Sequence, residues 1–282
     1  MSAAGRSADG RLLGGYVVLY LVFLYLPVAL IPLFSFNDSI QAAFPLKGFT
    51  LGWYQSLADN EALYGALLTS LFVAMIAASV ATLCGVTIAY MEMRGGSRAA
   101  SVISGLARLP ILIPGVVAGI ALLILVNLAG LGPSRSAVVL GHVLVALPTT
   151  VVVMRSRFAA IPKSIAEAAA DLGATGWPTF ARIMLPLAAP AIGSAFMLAF
   201  LTSFDEFIVA FFLAGAEPTL PLFIWGQLRF PKALPSVMAL GTTILVASIA
   251  IAALAEALRR RGLSVTRPAP GRIPASPVTA TR

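Results

Sequence analysis

The segment EAAADLGATGWPTFARIMLP, residues 167–186, is a polar to amphipathic stretch between two long apolar runs. Just before it, Ser164 forms with Glu167 the S-x-x-E pattern of a capping box, which predicts a helix start. Gly173 suits a helix end, and Pro178 is tolerated in the first turn of a following helix. The spacing therefore predicts two short helices that meet at a glycine corner and lie on a membrane surface.

The rest of the chain has the composition of a membrane protein. Of its 282 residues, 59% are hydrophobic and only 11% are charged, whereas soluble domains carry about 25% charged residues. A spanning helix needs about 20 mainly apolar residues, and six runs of roughly this length are present. They cover approximately residues 13–36, 64–90, 102–128, 136–156, 188–214 and 236–258. We therefore predict an all-α membrane protein with six transmembrane helices.

The ends of the chain flank this six-helix domain of residues 13–258. The first run follows a short basic segment, residues 1–12, and is too long for a signal-peptide core, so we interpret it as a retained anchor. After the last run, residues 259–282 are basic and rich in proline, with no apolar periodicity. This composition predicts a disordered tail.

Several predicted spans contain prolines, which should kink or break the helices. These are Pro27 and Pro32 in the first span, Pro110 and Pro114 in the third, and Pro148 in the fourth. In lipid, such interruptions are tolerated only where neighbouring helices or a cavity satisfy the freed carbonyl groups.

Two further features inside the spans favour packing. Gly115 and Gly119 form a G-x-x-x-G pattern, which allows close approach of another helix; we favour packing here over a role in lining a substrate path. His142 lies in an apolar run, and we interpret it as a packed, hydrogen-bonded residue rather than a proton relay.

Basic residues indicate the orientation, because loops on the cytoplasmic side carry an excess of lysine and arginine. One side of the predicted topology holds Arg6, Arg11, Arg94, Arg98, Arg108, Arg155, Arg157, Lys163, Arg182 and the arginines from Arg259 onward. The other side holds Lys47, Arg135, Arg229 and Lys232. Both termini and the segment at residues 157–187 are therefore predicted to be cytoplasmic.

Two loops on the outer side are predicted to contain short helices. Residues 37–62 include aromatic side chains such as Trp53, which favour the headgroup level, and predict an interfacial helix near residues 51–57. An ordinary surface loop explains this segment equally well. Residues 215–235 are rich in proline and apolar residues, which favours a short re-entrant or interfacial helix.

The sequence argues against several classes of function. It has a single cysteine, Cys84, and a single histidine, His142, so neither a disulfide framework nor a cysteine or histidine metal cluster is predicted. No G-x-x-x-x-G-K-[ST] phosphate loop is present, so ATP binding by that route is excluded. The net charge of +8 is spread over loops and the tail and forms no patch for nucleic acid. We predict no catalytic residue and no cofactor.

The exception to the apolar pattern is TSFDEF, residues 202–207, in the fifth predicted span. A charge at the centre of a membrane helix costs about 2.5–3.5 kcal/mol, so Asp205 and Glu206 should face a cavity or a partner. Neighbouring residues of a helix lie about 100° apart, so only one of the two carboxylates need face a central path. We predict a path for a cationic substrate at Asp205 and Glu206, together with Ser203 and Thr202. The alternative is that both carboxylates only hold neighbouring helices together.

The segment at residues 167–186 also resembles a known signature. Glu167-Ala168-Ala169, Gly173 and Ile183-x-Leu185-Pro186 match every fixed position of the EAA-x3-G-x9-I-x-L-P motif of ABC importer permeases. The resemblance implies the six-helix type I importer (MetI-like) fold, with this loop as the element that docks on a cytoplasmic ATPase subunit. The residues it implies for that contact are Glu167, Ala168, Ala169, Asp171, Leu172, Gly173, Ile183, Leu185 and Pro186.

The same resemblance implies the partners and the location. An importer permease of this type sits in the bacterial inner membrane with a second permease subunit, which we expect to be a different chain. It also works with ATPase subunits in the cytoplasm and with an external substrate-binding protein.

Weaker motifs resemble the permeases of polyamine importers. They are FTLGWY at residues 49–54, SFDEF at 203–207 and TLP at 219–221. With the two carboxylates, they favour putrescine or spermidine as the substrate. Other small solutes, such as opines, amino-acid-like cations, thiamine, iron or inorganic anions, remain as alternatives. Outside the family, a proton-coupled secondary transporter would leave the motif of the loop unexplained, and a passive channel lacks a filter sequence.

Overall fold

The computed structural model describes residues 3–95 and 97–264, with side chains described for residues 13–95 and 97–250. Its helices, in chain order, are α1 (Ala3–Ser35), α2 (Gly52–Ala58), α3 (Glu61–Gly95), α4 (Arg98–Arg108), α5 (Gly115–Leu128), α6 (Arg135–Ala159), α7 (Lys163–Asp171), α8 (Gly176–Thr179), α9 (Leu185–Phe204), α10 (Ile208–Leu213), α11 (Leu220–Gln227) and α12 (Leu234–Ser264). Short 3₁₀ segments cover Leu109–Leu112 and Pro231–Ala233, and a π-helical turn covers Phe180–Met184. The predicted all-α class is confirmed. Residues 265–282, which hold most of the predicted disordered tail, lie outside the described residues.

Most predicted spans correspond to helices of sufficient length and apolarity, but the fifth, predicted at residues 188–214, lies instead at Gly176–Phe204. Within the described residues, five segments could each cross a membrane: Leu13–Ser35, Glu61–Gly95, Arg135–Ala159, Gly176–Phe204 and Pro231–Ala250. The remaining predicted span, residues 102–128, is a pair of helical segments, Arg98–Leu112 and Gly115–Leu128, bent by 113°. Counted as one crossing, this pair brings the number of spans to six.

The prolines of the third span interrupt it as predicted. Pro110 lies in the 3₁₀ turn and Pro114 precedes α5, where the chain turns sharply. Helices α1 and α6, by contrast, continue through Pro27, Pro32 and Pro148. These three prolines therefore do not break their helices. At Pro114 the helix is broken because the preceding residue has an extended backbone, which is the conformation that a following proline favours.

The described residues form two compact units, one of residues 3–58 and 231–264 and the other of residues 59–95 and 97–230. In the first unit, α1 packs on α12, and α12 also contacts α2. The indole Nε1 of Trp53 donates a hydrogen bond of 3.0 Å to the carbonyl oxygen of Asn37, and the hydroxyls of Ser35 and Tyr54 lie 2.7 Å apart. These bonds attach α2 to the end of α1. Helix α2 confirms the short helix predicted near residues 51–57.

In the second unit, α3, α6 and α9 pack together as the core. A Cβ on Gly85 of α3 would lie 2.9 Å from the backbone carbon of Thr150 in α6, so these helices are in backbone contact. One apolar cluster, towards the loop at residues 157–187, includes Val86, Met154, Phe158 and Met184. A second, towards the other end of the bundle, includes Val73, Val138, Val209 and Leu213.

The G-x-x-x-G pattern packs closely, as predicted. A Cβ on Gly119 would lie 2.4 Å from Cδ2 of Phe212, and one on Gly115 would lie 3.6 Å from the side chain of Ile208. Both partners belong to α10, so the glycine face of α5 accommodates this short helix.

The predicted capping box at Ser164 and Glu167 is wrong. Pro162 occupies the N-cap position, with an extended backbone, and no side-chain cap is formed. Helix α7 therefore begins at Lys163, which places Ser164 inside the first turn rather than ahead of it.

The prediction that Asp205 and Glu206 lie inside a continuous helix is also wrong. Helix α9 ends at Phe204, Asp205 is its C-cap, and α10 begins only at Ile208. The two carboxylates therefore belong to a break in the fifth span, and the 100° separation of neighbouring helical residues does not describe them.

Candidate functional site: a surface corner and a helix break

The surface corner, residues 163–179, consists of α7, Gly173 and α8. Gly173 has φ +79°, the left-handed conformation that glycine adopts without a Cβ penalty. The N–H of Gly173 donates to the Ala170 carbonyl at 2.9 Å, and the N–H of Ala174 donates to the Ala169 carbonyl at 2.9 Å. This pair of bonds is a Schellman motif, which satisfies the last carbonyls of a helix and ends it in a defined direction. The predicted glycine corner is confirmed.

The tip of the surface corner presents apolar side chains to its surroundings. Leu172 is 89% exposed and Trp177 is 73% exposed, while Ala169 is buried beneath them. Glu167, Ala168 and Asp171 are exposed as well, on the same short helix or next to its end. An exposed leucine and tryptophan at a rigid corner form a surface that a partner protein could cover.

The end of the motif lies away from the tip, at the start of α9. Ile183 belongs to the π-helical turn and Pro186 to the first turn of α9, where Pro186 is exposed. Leu185 packs on the apolar cluster near Met154 and Met184. The structure therefore separates the motif into an exposed corner and a packed base.

Aromatic rings attach the surface corner to the core. The Phe180 ring centroid lies 4.3 Å from that of Tyr90 in α3 and 5.6 Å from that of Trp177. Tyr90 also packs on Phe158 of α6, with centroids 5.7 Å apart. A chain of ring contacts therefore connects Trp177 to α3 and α6.

A mainly apolar groove of about 840 Å³ begins at the same tryptophan. It continues between α3 and α9, past Val86 and Thr82 on one side and Ile192 and Phe196 on the other. Trp177 thus belongs both to the surface corner and to the wall of a groove along the spanning helices.

The helix break, residues 205–207, lies at the far end of the segment that begins at the surface corner. Gly176–Phe204 is a run of 29 residues through α8, the π-helical turn and α9. At about 1.5 Å per residue it is long enough to lead from the surface corner into the membrane. One helical segment therefore runs from the second half of the surface corner to the residue before Asp205.

The two carboxylates at the helix break have different surroundings. Asp205 is exposed, and its backbone N–H donates to the Leu201 carbonyl at 3.1 Å. Glu206 is partly buried, and its Oε1 accepts a hydrogen bond of 3.0 Å from the N–H of Val209. The Glu206 carboxylate thus caps the start of α10, whereas Asp205 is exposed.

The two hydroxyls before the break do not share one role. The Thr202 hydroxyl donates to the Leu198 carbonyl of its own helix at 2.8 Å. Ser203 is buried, and its Oγ lies 2.8 Å from Nδ1 of His142 in α6. His142 is therefore the packed, hydrogen-bonded residue that the sequence predicts.

An aromatic cluster that sequence reasoning missed lies beside the break. The ring centroid of Trp225 in α11 lies 5.7 Å from that of Phe207 and 5.3 Å from that of Phe211. The Arg229 guanidinium lies 4.0 Å from the centroid of Trp225, within cation–π range. The sequence shows each aromatic residue, but only the turn between α10 and α11 brings them together.

A metal site is not indicated in the part of the chain that the structure describes. No group of three or more histidine, cysteine, aspartate or glutamate side chains is clustered there.

These two sites belong to a known type of protein. The family model described as "Binding-protein-dependent transport system inner membrane component" matches residues 81–262, which include both the surface corner and the helix break. The chain belongs to this family. The permease is thus a transport subunit of the membrane, as predicted, and the alternatives of a secondary transporter and a passive channel lie outside the family.

Relatives are similar to the permease over most of its length. The spermidine/putrescine transport system permease protein PotC of Escherichia coli (strain K12) is 33% identical over 253 residues, which cover 89% of the permease and 95% of PotC. The putrescine transport system permease protein PotI of the same strain is 34% identical over 237 residues, covering 81% and 84%.

Among solved structures, that of a bacterial ABC transporter involved in the import of the acidic polysaccharide alginate has the same fold. It matches with a TM-score of 0.69 and 17% identity, and the match covers 92% of the permease and 98% of that chain. The predicted importer permease fold is confirmed. The permease is a multi-pass inner membrane subunit of an ABC importer, whose other parts are ATPase subunits and a substrate-binding protein.

Proposed function

We propose that the permease forms, with a second and different permease subunit, the translocation path for putrescine or spermidine. The observation that carries this proposal is the exposed carboxylate of Asp205 at a break in a membrane-spanning helix. A charge in the membrane is costly unless it meets a cavity or a partner, and a solute that carries ammonium groups is such a partner. The relatives named for spermidine and putrescine support the same class of solute.

The roles of the two carboxylates are distinct. Asp205 meets the cationic solute in the path, while Glu206 caps α10 and keeps the break open. Phe207 provides an aromatic face beside it, which attracts ammonium groups through cation–π interactions. Trp225 packs on Phe207 and already holds the Arg229 guanidinium. Ser203 and Thr202 support the end of α9 through their hydrogen bonds.

The surface corner is the proposed coupling element. Both termini and this corner face the cytoplasm, because the loops on that side carry most of the basic residues. Leu172 and Trp177 dock on an ATPase subunit, and closure of the ATPase pair moves the segment Gly176–Phe204, whose far end is the helix break. The motion that ATP binding drives thereby changes access to Asp205.

Uptake of labelled putrescine and spermidine tests the proposal. Cells would express the complete importer with the phosphate-loop lysine of the ATPase either intact or replaced, and with the permease unchanged or carrying Asp205→Asn. We expect uptake that requires the lysine, and an apparent KM at least about tenfold higher for Asp205→Asn, because a charge-assisted contact is lost. Asp205→Glu keeps the charge and is the matched control.

Each result has a definite meaning. Lysine-dependent uptake of another solute, with none of either polyamine, would overturn the proposed substrate. Polyamine uptake with an unchanged KM in Asp205→Asn would overturn the role of this carboxylate in the path. Uptake that persists without the lysine would contradict ATP-driven transport of polyamines by this importer.

A further inference from the structure

Two consecutive residues of α6, Gly141 and His142, contact both sides of the helix break. His142 is 1% exposed and Ser203 is 3% exposed, and the hydrogen bond of 2.8 Å between them is therefore shielded from solvent. Ser203 lies in the last turn of α9. The bond ties the end of that helix to the middle of α6.

Gly141 contacts α10, the helix on the other side of the break. A Cβ at this position would lie 2.6 Å from Cγ1 of Val209 and 2.6 Å from Cδ1 of Leu213, both in α10. Helix α10 therefore rests directly on the backbone of α6, and a larger residue at position 141 would displace it.

The residues between these two anchors have little freedom. Asp205 follows Ser203 by two residues, and its backbone is held by the last turn of α9. Val209, which packs against Gly141, also donates its N–H to the Glu206 carboxylate. The three residues at positions 205–207 thus connect two short anchors that both depend on α6.

We propose that Gly141 and His142 form a positioning element that sets where the Asp205 carboxylate lies in the membrane, and thereby the apparent affinity for a cationic solute. The second part rests on the proposed function, in which Asp205 meets that solute. His142 itself does not touch the solute and acts through Ser203. Displacement of a binding group by about 1 Å can lower rates on the order of 100-fold, so a small shift of this anchor is measurable.

The first experiment measures position without using any solute. Cys84 is the only cysteine of the chain, so Cys84→Ser with Asp205→Cys creates a single thiol at the break. Its rate of modification by a positively charged methanethiosulfonate reagent would be measured in the assembled importer in membrane vesicles. We expect His142→Ala to change this rate at least about threefold, and His142→Asn to restore it, because an asparagine amide can occupy the place of Nδ1 near Ser203.

Two further variants keep the test informative. Ser203→Ala removes the same bond with a smaller change, which matters if His142→Ala fails to assemble. Ser194→Ala is the matched control on α9, since its hydroxyl donates to the Pro190 carbonyl of its own helix at 3.0 Å and does not join two helices. Unchanged modification rates in His142→Ala and Ser203→Ala would overturn the proposal.

The second experiment measures uptake kinetics with labelled putrescine. We expect His142→Ala and Ser203→Ala each to raise the apparent KM about tenfold or more, with no further increase in the double variant, because both remove one shared bond. If His142→Ala changes the modification rate of the thiol, but KM is unchanged in both His142→Ala and Asp205→Asn, the positioning element is supported and the proposed role of Asp205 is overturned. An unchanged KM in His142→Ala together with a raised KM in Asp205→Asn would overturn the link from positioning to affinity.

Discussion

The Thr150 hydroxyl lies 2.8 Å from the carbonyl oxygen of Ala81 in α3 and 2.8 Å from that of Leu147 in its own helix, and it shares its one proton between them, which joins α6 to α3 inside the core of the permease. This contact is possible because Gly85, one turn along α3, has no side chain. A Cβ at position 85 would lie 2.5 Å from the Thr150 hydroxyl oxygen and 2.9 Å from its backbone carbon. The central helix pair is therefore held at backbone contact, and the loops and breaks around it depend on that separation.

The first prediction concerns this contact. Gly85→Ala should destabilise the permease by about 1–3 kcal/mol, because overpacking forces α3 and α6 apart. Gly65→Ala is the matched control on the same helix, since no atom lies within 4 Å of its Cβ position. Thermal unfolding in detergent would compare the two. A melting midpoint of Gly85→Ala equal to or above that of Gly65→Ala would contradict the prediction.

A second prediction concerns the left-handed residue at the surface corner. Gly173→Val should abolish transport while insertion into the membrane survives, because φ +79° costs such a residue about 1–2 kcal/mol and strains the corner. Gly173→Asp should abolish transport because it adds a charge at the corner. No atom lies within 4 Å of the Cβ position, so neither effect is a steric clash. Uptake and membrane-inserted protein would be measured together.

The comparison within this position is Gly173→Asn. Asparagine adopts the left-handed conformation more readily than other residues, so this variant should retain more transport than Gly173→Val. Equal uptake by all three variants at the unchanged rate would show that the corner is not the coupling element.

The third prediction tests the exposed side chain at the tip. Leu172→Ser should release the ATPase, because burial of a leucine contributes about 1.5–3 kcal/mol to an interface. Leu131→Ser, an exposed leucine in the turn before α6, is the control. The measurement is the amount of ATPase that purifies with each variant, together with ATP hydrolysis in the presence of loaded binding protein. Equal recovery of ATPase in both variants would place the docking surface elsewhere.

The fourth prediction separates capping from charge at the helix break. Glu206→Gln keeps an oxygen that accepts the N–H of Val209, so stability should change little. Glu206→Ala removes the cap and should cost about 1 kcal/mol. Thermal unfolding would show whether Glu206→Ala is less stable than Glu206→Gln. Equal destabilisation by both substitutions would indicate that the charge of Glu206, rather than its hydrogen bond, stabilises the break.

Local chemistry explains which parts of the permease could be predicted. The apolar runs identify the spans because any helix in lipid needs that length and composition. Gly173 identifies the corner because a left-handed residue ends α7. The prediction of a capping box was wrong because Pro162, with an extended backbone, occupies the N-cap position. The four-residue pattern does not reveal this.

The helix break could not be predicted, because its neighbours are distant in the sequence. From the sequence, an apolar run with two carboxylates is interpreted as one continuous helix until the packing of its second half is known. Val209 and Leu213 pack on Gly141, and Phe212 packs on Gly119, so α10 is held by contacts with α5 and α6 that a sequence pattern does not show. The aromatic cluster at Trp225 depends on the same packing.

The sequence by itself determined the membrane class, the number of apolar runs, the surface corner and the family, because each depends on residue types at fixed spacing along the chain. Only the tertiary structure decided where α9 ends, which carboxylate caps α10 and which stays exposed, and that His142 holds Ser203. The physical reason is that a helix ends where competing contacts become more favourable than its next hydrogen bond. Here those contacts are made by α10, which follows the break and packs on α5 and α6.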